Sequence, residues 1–137
     1  MNNTDPVTSM TLRWLRFSKR DLDVALMVMN NPDTSPHHVC WLCQQSAEKA
    51  LKAALVFEGI AFPYTHDLNV LKKLLPKGWA VRDAHSELSI LAEWAIEARY
   101  PGAWSEPTNE DAVVAESKAR SVYDSVEDEF RCRGMFI

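Results

Sequence analysis

The segment Gln44-Gln45-Ser46-Ala47-Glu48-Lys49-Ala50-Leu51-Lys52-Ala53 restricts the fold more than any other, because it sets a polar cluster on a helix otherwise built for burial. With about 100° of turn per residue, Trp41, Gln45, Glu48, Lys49 and Lys52 share one stripe. The opposite stripe, Val39, Cys43, Ala47, Ala50, Ala54 and Phe57, is small enough for another helix to come close. Two differently furnished faces require two different neighbours. The apolar face enters a core, and the polar stripe meets water, a ligand or a second chain.

The rest of the composition keeps the chain in the helical, globular class. Its 137 residues suffice for one domain with a real core, and four glycines with no alternating β-branched runs favour helices over strands. A net charge of −4 argues against unspecific affinity for nucleic acid, while leaving room for a local basic patch. No apolar run approaches the roughly 20 residues that span a bilayer. The first residues lack the basic and apolar segments of an export signal, so a cytoplasmic location is expected. Cys40 and Cys43 form a C-x-x-C pair, but no strand precedes it as a redox site requires, and no second ligand cluster completes a metal site. The pair reads as core packing, and neither a metal nor a cofactor is expected.

Along the chain, residues 1–8 read as a flexible tail and residues 9–137 as one helical domain. The first helix is expected from Met10 to Met29, capped by Thr8 or Ser9, with Leu12, Leu15, Leu22 and Leu26 on its inner stripe. Asn30-Asn31-Pro32-Asp33 stops it. The second runs from Pro36 to Glu58, with Gly59 closing it. Thr65 is the expected cap of a short third helix that turns Leu68, Leu71, Leu74 and Leu75 inward. A fourth is expected over Asp83 to Arg99, with Leu88 and Leu91 among its inner residues. Thr108 to Asp111 reads as a capping box for the last helix, whose inner face is Ala112, Ala115, Ala119, Val122, Val126 and Phe130. The simplest assembly is all-α: an antiparallel up-and-down four-helix bundle with one additional short helix.

This pattern resembles the HEPN domain family. The resemblance rests on Gln44-Gln45-x-x-Glu48-Lys49-x-x-Lys52-Ala53, then Gly59, then Thr65-His66-Asp67-Leu68, then Ala98-Arg99-Tyr100-Pro101, then Asp111-Ala112, and covers Leu12 to Val126. It implies a helical bundle, frequent dimerisation, and one of several roles. Some members are ribonucleases, others are small helical proteins encoded beside a minimal nucleotidyltransferase, and others are thought to bind nucleotides. The ribonucleases carry arginine and histidine as R-x(4–6)-H. Here no histidine follows Arg99 at that spacing, and His85 stands too close to Arg82. The chain therefore resembles the non-nucleolytic branch.

The candidate ligand-binding residues are Gln45, Lys49, Lys52, His66, Arg99 and Tyr100, and no catalytic residue is assigned. Lys49 and Lys52 present ammonium groups suited to a nucleotide phosphate, and Gln45 an amide. Equally, Glu48 and Lys52, spaced i,i+4, form a surface ion pair. His66 either donates to a phosphate or base edge, or makes a structural bond that closes its loop onto the second helix. Arg99 either grips phosphate or bonds the last carbonyls of its helix. Tyr100 offers an aromatic face or is buried with its hydroxyl bonded. Trp14, Trp41, Trp94 and Trp104 are candidates for a shared core or dimer interface. The expected role is a binding or partner module, homodimeric, acting with a minimal nucleotidyltransferase in a toxin–antitoxin or stress-response pair. RNA is the less favoured partner. The alternative is a metal-independent ribonuclease that pairs Arg99 with His66 or His85.

Overall fold

The structure, a computed structural model, describes residues 5–83, 88, 91, 106–135 and 137. Among these all the regular structure is helical: α1 (Pro6–Met29), α2 (Pro36–Phe57), α3 (Leu68–Leu74), α4 (Ala80–Asp83) and α5 (Asn109–Cys132). The architecture is the expected helical bundle. Most of the expected fourth helix, with His85, Trp94 and Arg99, lies outside the described residues, as do Tyr100 and Trp104 beyond it. Leu88 and Leu91, which belong to that segment, are buried as expected.

Helix α2 is the axis of the bundle, packed against α1, α3 and α5. Alanine and cysteine leave little bulk on the side that includes Cys43, Ala47, Ala50 and Ala54, all fully buried. Where α1 crosses α2, Ser18 Oγ donates to the Ser46 carbonyl at 2.7 Å. Ser46 Oγ returns the bond to the Ser18 carbonyl at 2.8 Å. Both hydroxyls are thereby satisfied inside the core, where an unpaired one would be costly. Ser18 opposite Ser46 and Trp14 near Lys52 put the two helices in antiparallel order.

Local signals place most helix ends. Ser35 caps α2 by accepting from the His37 N–H, with Pro36 at the first helical position. At its other end Gly59 takes φ +70°, the Ile60 N–H reaches the Leu55 carbonyl and the Gly59 N–H the Val56 carbonyl. This is the paired closure that favours glycine. In α5 the Thr108 hydroxyl accepts from the Asp111 N–H while the Asp111 carboxylate accepts from the Thr108 N–H. The expected capping box is present, and the whole expected inner face of α5 is buried.

Four local expectations are corrected. Helix α1 begins at Pro6, because Asp5 accepts from the Val7 and Thr8 N–H groups. Residues 5–8 are thus its cap and first turn rather than tail. Helix α3 is capped by Asp67, which accepts from the Asn69 and Val70 N–H groups, while Thr65 only accepts from the Asp67 N–H. Leu26 and Leu74 face outward. Trp79 is fully buried against Phe57 and Phe130, with ring centroids 6.2 and 5.7 Å away, and organises the aromatic end of the core. Glu58 accepts from its indole N–H at 2.9 Å and from Arg133 at 2.6 Å, and that guanidinium stacks 4.6 Å from a Trp79 ring centroid.

The serine pair gives a direct test. Ser46→Ala should lower unfolding free energy by about 1 kcal/mol. Because each hydroxyl serves the other helix, Ser18→Ala and Ser46→Ala should combine non-additively in urea unfolding. Simple addition of the two effects would show that the bonds act independently.

Candidate functional site

The polar stripe of α2 does not face open water. Glu48 is buried, its side chain 7% exposed, and three donors converge on its carboxylate. Lys52 Nζ reaches Oε2 at 3.0 Å, His66 Nδ1 reaches Oε1 at 2.9 Å, and Gln44 Nε2 reaches Oε1 at 3.1 Å. Gln44 also donates to the His66 carbonyl at 3.3 Å and accepts from Gln45 Nε2 at 2.7 Å. Gln44, Glu48 and Lys52 stand at i, i+4 and i+8, one line on the helix, and the loop before α3 lays His66 across it.

This burial sets the electrostatics. Desolvation alone pushes the Glu48 carboxyl up, but the bonds from His66, Lys52 and Gln44, with the charge of Lys52, outweigh it and hold the carboxyl below its ordinary value. An ionised carboxylate only accepts, so His66 Nδ1 carries a proton and donates to Glu48. The other ring nitrogen, Nε2, is shut off from solvent and has no hydrogen-bond partner among the described residues. A carboxylate-held imidazole with a vacant Nε2 is the arrangement of a general base. Here it lacks access, and Lys52, which shares the carboxylate with His66, is already bound by it.

Both lysines of the stripe are neutralised within the fold. Lys49 pairs with Asp21 of α1 at 2.5 Å, both side chains being largely covered. Lys52 pairs with Glu48 and lies 5.6 Å from the Trp14 ring centroid and 5.4 Å from that of Phe62. Its ammonium therefore sits among aromatic faces as well as beside a carboxylate. Gln45, Lys49, Lys52 and His66 are thus brought to one region, but through Glu48, Gln44 and Asp21 rather than around an open crevice. Arg99 and Tyr100 lie outside the described residues.

Sequence reasoning left out Gln44 and Asp21. The i,i+4 alignment of Gln44 with Glu48 was a usable signal for the first. Nothing local identified Asp21, which lies 28 residues from Lys49. The C-x-x-C pair is core: both cysteines are fully buried. Burial pushes the Cys43 thiol up to about 12, with Cys40 and Glu116 adding to the rise and Arg120 opposing it. A thiol so held is neither a nucleophile nor a ready metal ligand.

With the geometry known, comparison with other proteins adds a family. The sequence profile of the HEPN domain matches residues 11–129. Two solved structures share the fold. TT1696 from Thermus thermophilus is 23% identical with a TM-score of 0.73, covering 93% of this chain and 98% of that one. ST0689, an archaeal HEPN homologue, is 24% identical with a TM-score of 0.62, covering 87% of this chain and 96% of that one. At such identities the likeness concerns fold alone. Among curated proteins, none matches the chain.

Glu48 gives the site a pH signature. Its folded pKa lies below the ordinary 4.5, so the unfolded chain binds more protons in the intervening range. The stability it contributes is fully present above that ordinary value and is lost as pH falls through the folded one. Urea unfolding from about pH 6 downward should show this acid loss, and Glu48→Gln should flatten it. At neutral pH the same variant should cost about 3 kcal/mol, since it leaves a covered lysine without its counter-charge. An unchanged acid limb in Glu48→Gln would mean that other carboxylates govern it.

Proposed function

Because the chain belongs to the HEPN domain family, we propose that it is a non-catalytic binding and partner module of that family. In this reading it pairs with a second copy and works beside a minimal nucleotidyltransferase, as one half of a toxin–antitoxin or stress-response system. The observation that carries the reading is the internal neutralisation of the α2 stripe. Cleavage of a phosphodiester needs a base for the 2′-hydroxyl and a cation for the phosphate, both free to reach the substrate. The stripe's two lysines and the loop residue His66 are instead bound by Asp21 and Glu48. The sequence also lacks the R-x(4–6)-H spacing.

Nucleotide binding at the stripe would require its ion pairs to open. A phosphate would gain Lys49 only by displacing Asp21, exchanging one anion for another. Contact with a partner has support of a different kind. Val7, Met10, Val24 and Met27 of α1 are exposed apolar residues, surface that a second protein would cover. Among the described residues no helix is long and apolar enough to cross a membrane.

Two measurements test the proposal. Incubated with labelled RNA, the purified protein should release no more product than buffer does. Cleavage that disappears in His66→Ala would replace this reading with that of a ribonuclease. Size-exclusion chromatography with light scattering should give twice the chain mass, and a strictly monomeric species at micromolar concentration would remove the pairing.

A further inference from the structure

Many of the cations among the described residues are paired within the fold. Lys19 pairs with Asp23, Lys49 with Asp21, Lys52 with Glu48, Arg120 with Glu116, Arg131 with Glu127, and Arg133 with Glu58 and Glu129. Arg13, Arg16 and Arg20 of α1 have no carboxylate in ion-pair range among the described residues, and all three are exposed. The two nearest acids on their own helix, Asp21 and Asp23, are already taken by lysines. Spaced i, i+3 and i+7, the arginines occupy one side of α1 and rise about 4.5 Å and then 6 Å along its axis. Arg13 and Arg20 each lie 5.5 Å from the Phe17 ring centroid. That ring fixes two guanidiniums while leaving their donors free to bond outward.

Beside them, Met10, Arg13, Trp14 and Phe17 line a hollow of about 140 Å³ whose walls are almost entirely apolar. Val7 and Val24 extend the exposed apolar strip at either end on the same side of the helix. Adjacent features thus make two demands: an apolar group for the hollow and anionic groups for the arginines. A nucleic-acid strand meets the second demand but not the first. The walls offer a base edge almost nothing to bond, and the Phe17 ring that a base would stack on already holds two guanidiniums.

We propose that this face of α1 receives an acidic, amphipathic segment of a partner protein. One apolar side chain of that segment fills the hollow, and carboxylates at helical spacing pair with Arg13, Arg16 and Arg20. Charge complementarity selects the occupant: guanidiniums take carboxylates two-pronged, and a helix laid along α1 repeats the i, i+3, i+7 register. Lysine-rich segments are excluded by repulsion. This inference deepens the partner-module reading and rests on it.

The test is fluorescence anisotropy with the full chain and a labelled helical peptide that carries glutamates along one face and a single leucine among them. Saturable binding at low salt is expected, lost in molar salt and weakened at least about tenfold in R13E/R16E/R20E. Met10→Glu, which puts an acid at the rim of the hollow, should weaken it as well. None of these side chains is part of the core, so unchanged circular dichroism will separate lost binding from lost folding. Absence of binding, or binding indifferent to the arginine changes, overturns the proposal. Tighter binding of single-stranded oligouridine through the same arginines also overturns it, in favour of nucleic acid. The two levels fail separately. A monomer that binds the peptide defeats the pairing alone, whereas an RNA-inert dimer that ignores the peptide defeats only this assignment.

Discussion

A carboxylate buried inside a helical bundle has to be answered, and in this protein the answer organises the fold. Glu48 sits in the middle of α2, where an unpaired charge would cost several kcal/mol. Two of its donors, Gln44 and Lys52, belong to its own helix. The third, His66, belongs to a loop that has no regular structure to hold it. By drawing His66 onto α2, the carboxylate fixes the point where the chain turns back. Asp67, the next residue, caps α3, and Leu68 and Leu71 drop into the core immediately behind it. One charge thus links the axis of the bundle to the register of its short helix.

The apolar side of α2 has a different logic. Its small residues let α1 and α5 approach, and close approach exposes backbone carbonyls that larger side chains would cover. The reciprocal bonds between Ser18 and Ser46 use those carbonyls and turn closeness into a specific crossing point. At the far end, bulk returns. Phe57, Trp79 and Phe130 meet as a triangle of rings, and the Arg133–Glu58 pair covers it while satisfying the indole N–H. The aromatic end of the bundle is therefore closed by polar groups that are themselves bonded, which is what a helical core needs where helices stop.

What the sequence disclosed follows from how far each determining interaction reaches. Helix α5 was legible almost residue by residue, because its period and its Thr108–Asp111 box are both local. So was the closure at Gly59, where a positive φ favours the one residue without a Cβ. The start of α1 was misplaced because Asp5-Pro6 reads as well for a tail as for a cap followed by a first-turn proline. Buried Thr8, Thr11 and Ser18 add no hydrophobic signal to correct it. At the candidate site the residue types were visible but their partners were not. Glu48 and Lys52 announced each other at i,i+4, whereas Asp21 and Lys49 meet only after two helices have packed. Whether a lysine is free is a tertiary fact, and it decided how the polar stripe is used.

The same reasoning separates inside from outside across the molecule. Lysines near the α1–α2 seam are matched to carboxylates, so the seam carries little net field despite its many charges. The arginines of α1 stand one side further round, where the nearby acids have already been consumed, and their uncompensated charge projects from a chain whose overall charge is negative. Arginine suits that position better than lysine. Its weakly hydrated plane rests on Phe17 at little desolvation cost, and its donors stay directed outward. A lysine there would remain more strongly hydrated and would lose more on binding. Among the described residues, the lysines of the α2 stripe are paired, while three arginines without ion-pair partners share one face of α1 beside exposed apolar groups. Under the proposed reading, that face is the one that holds the partner.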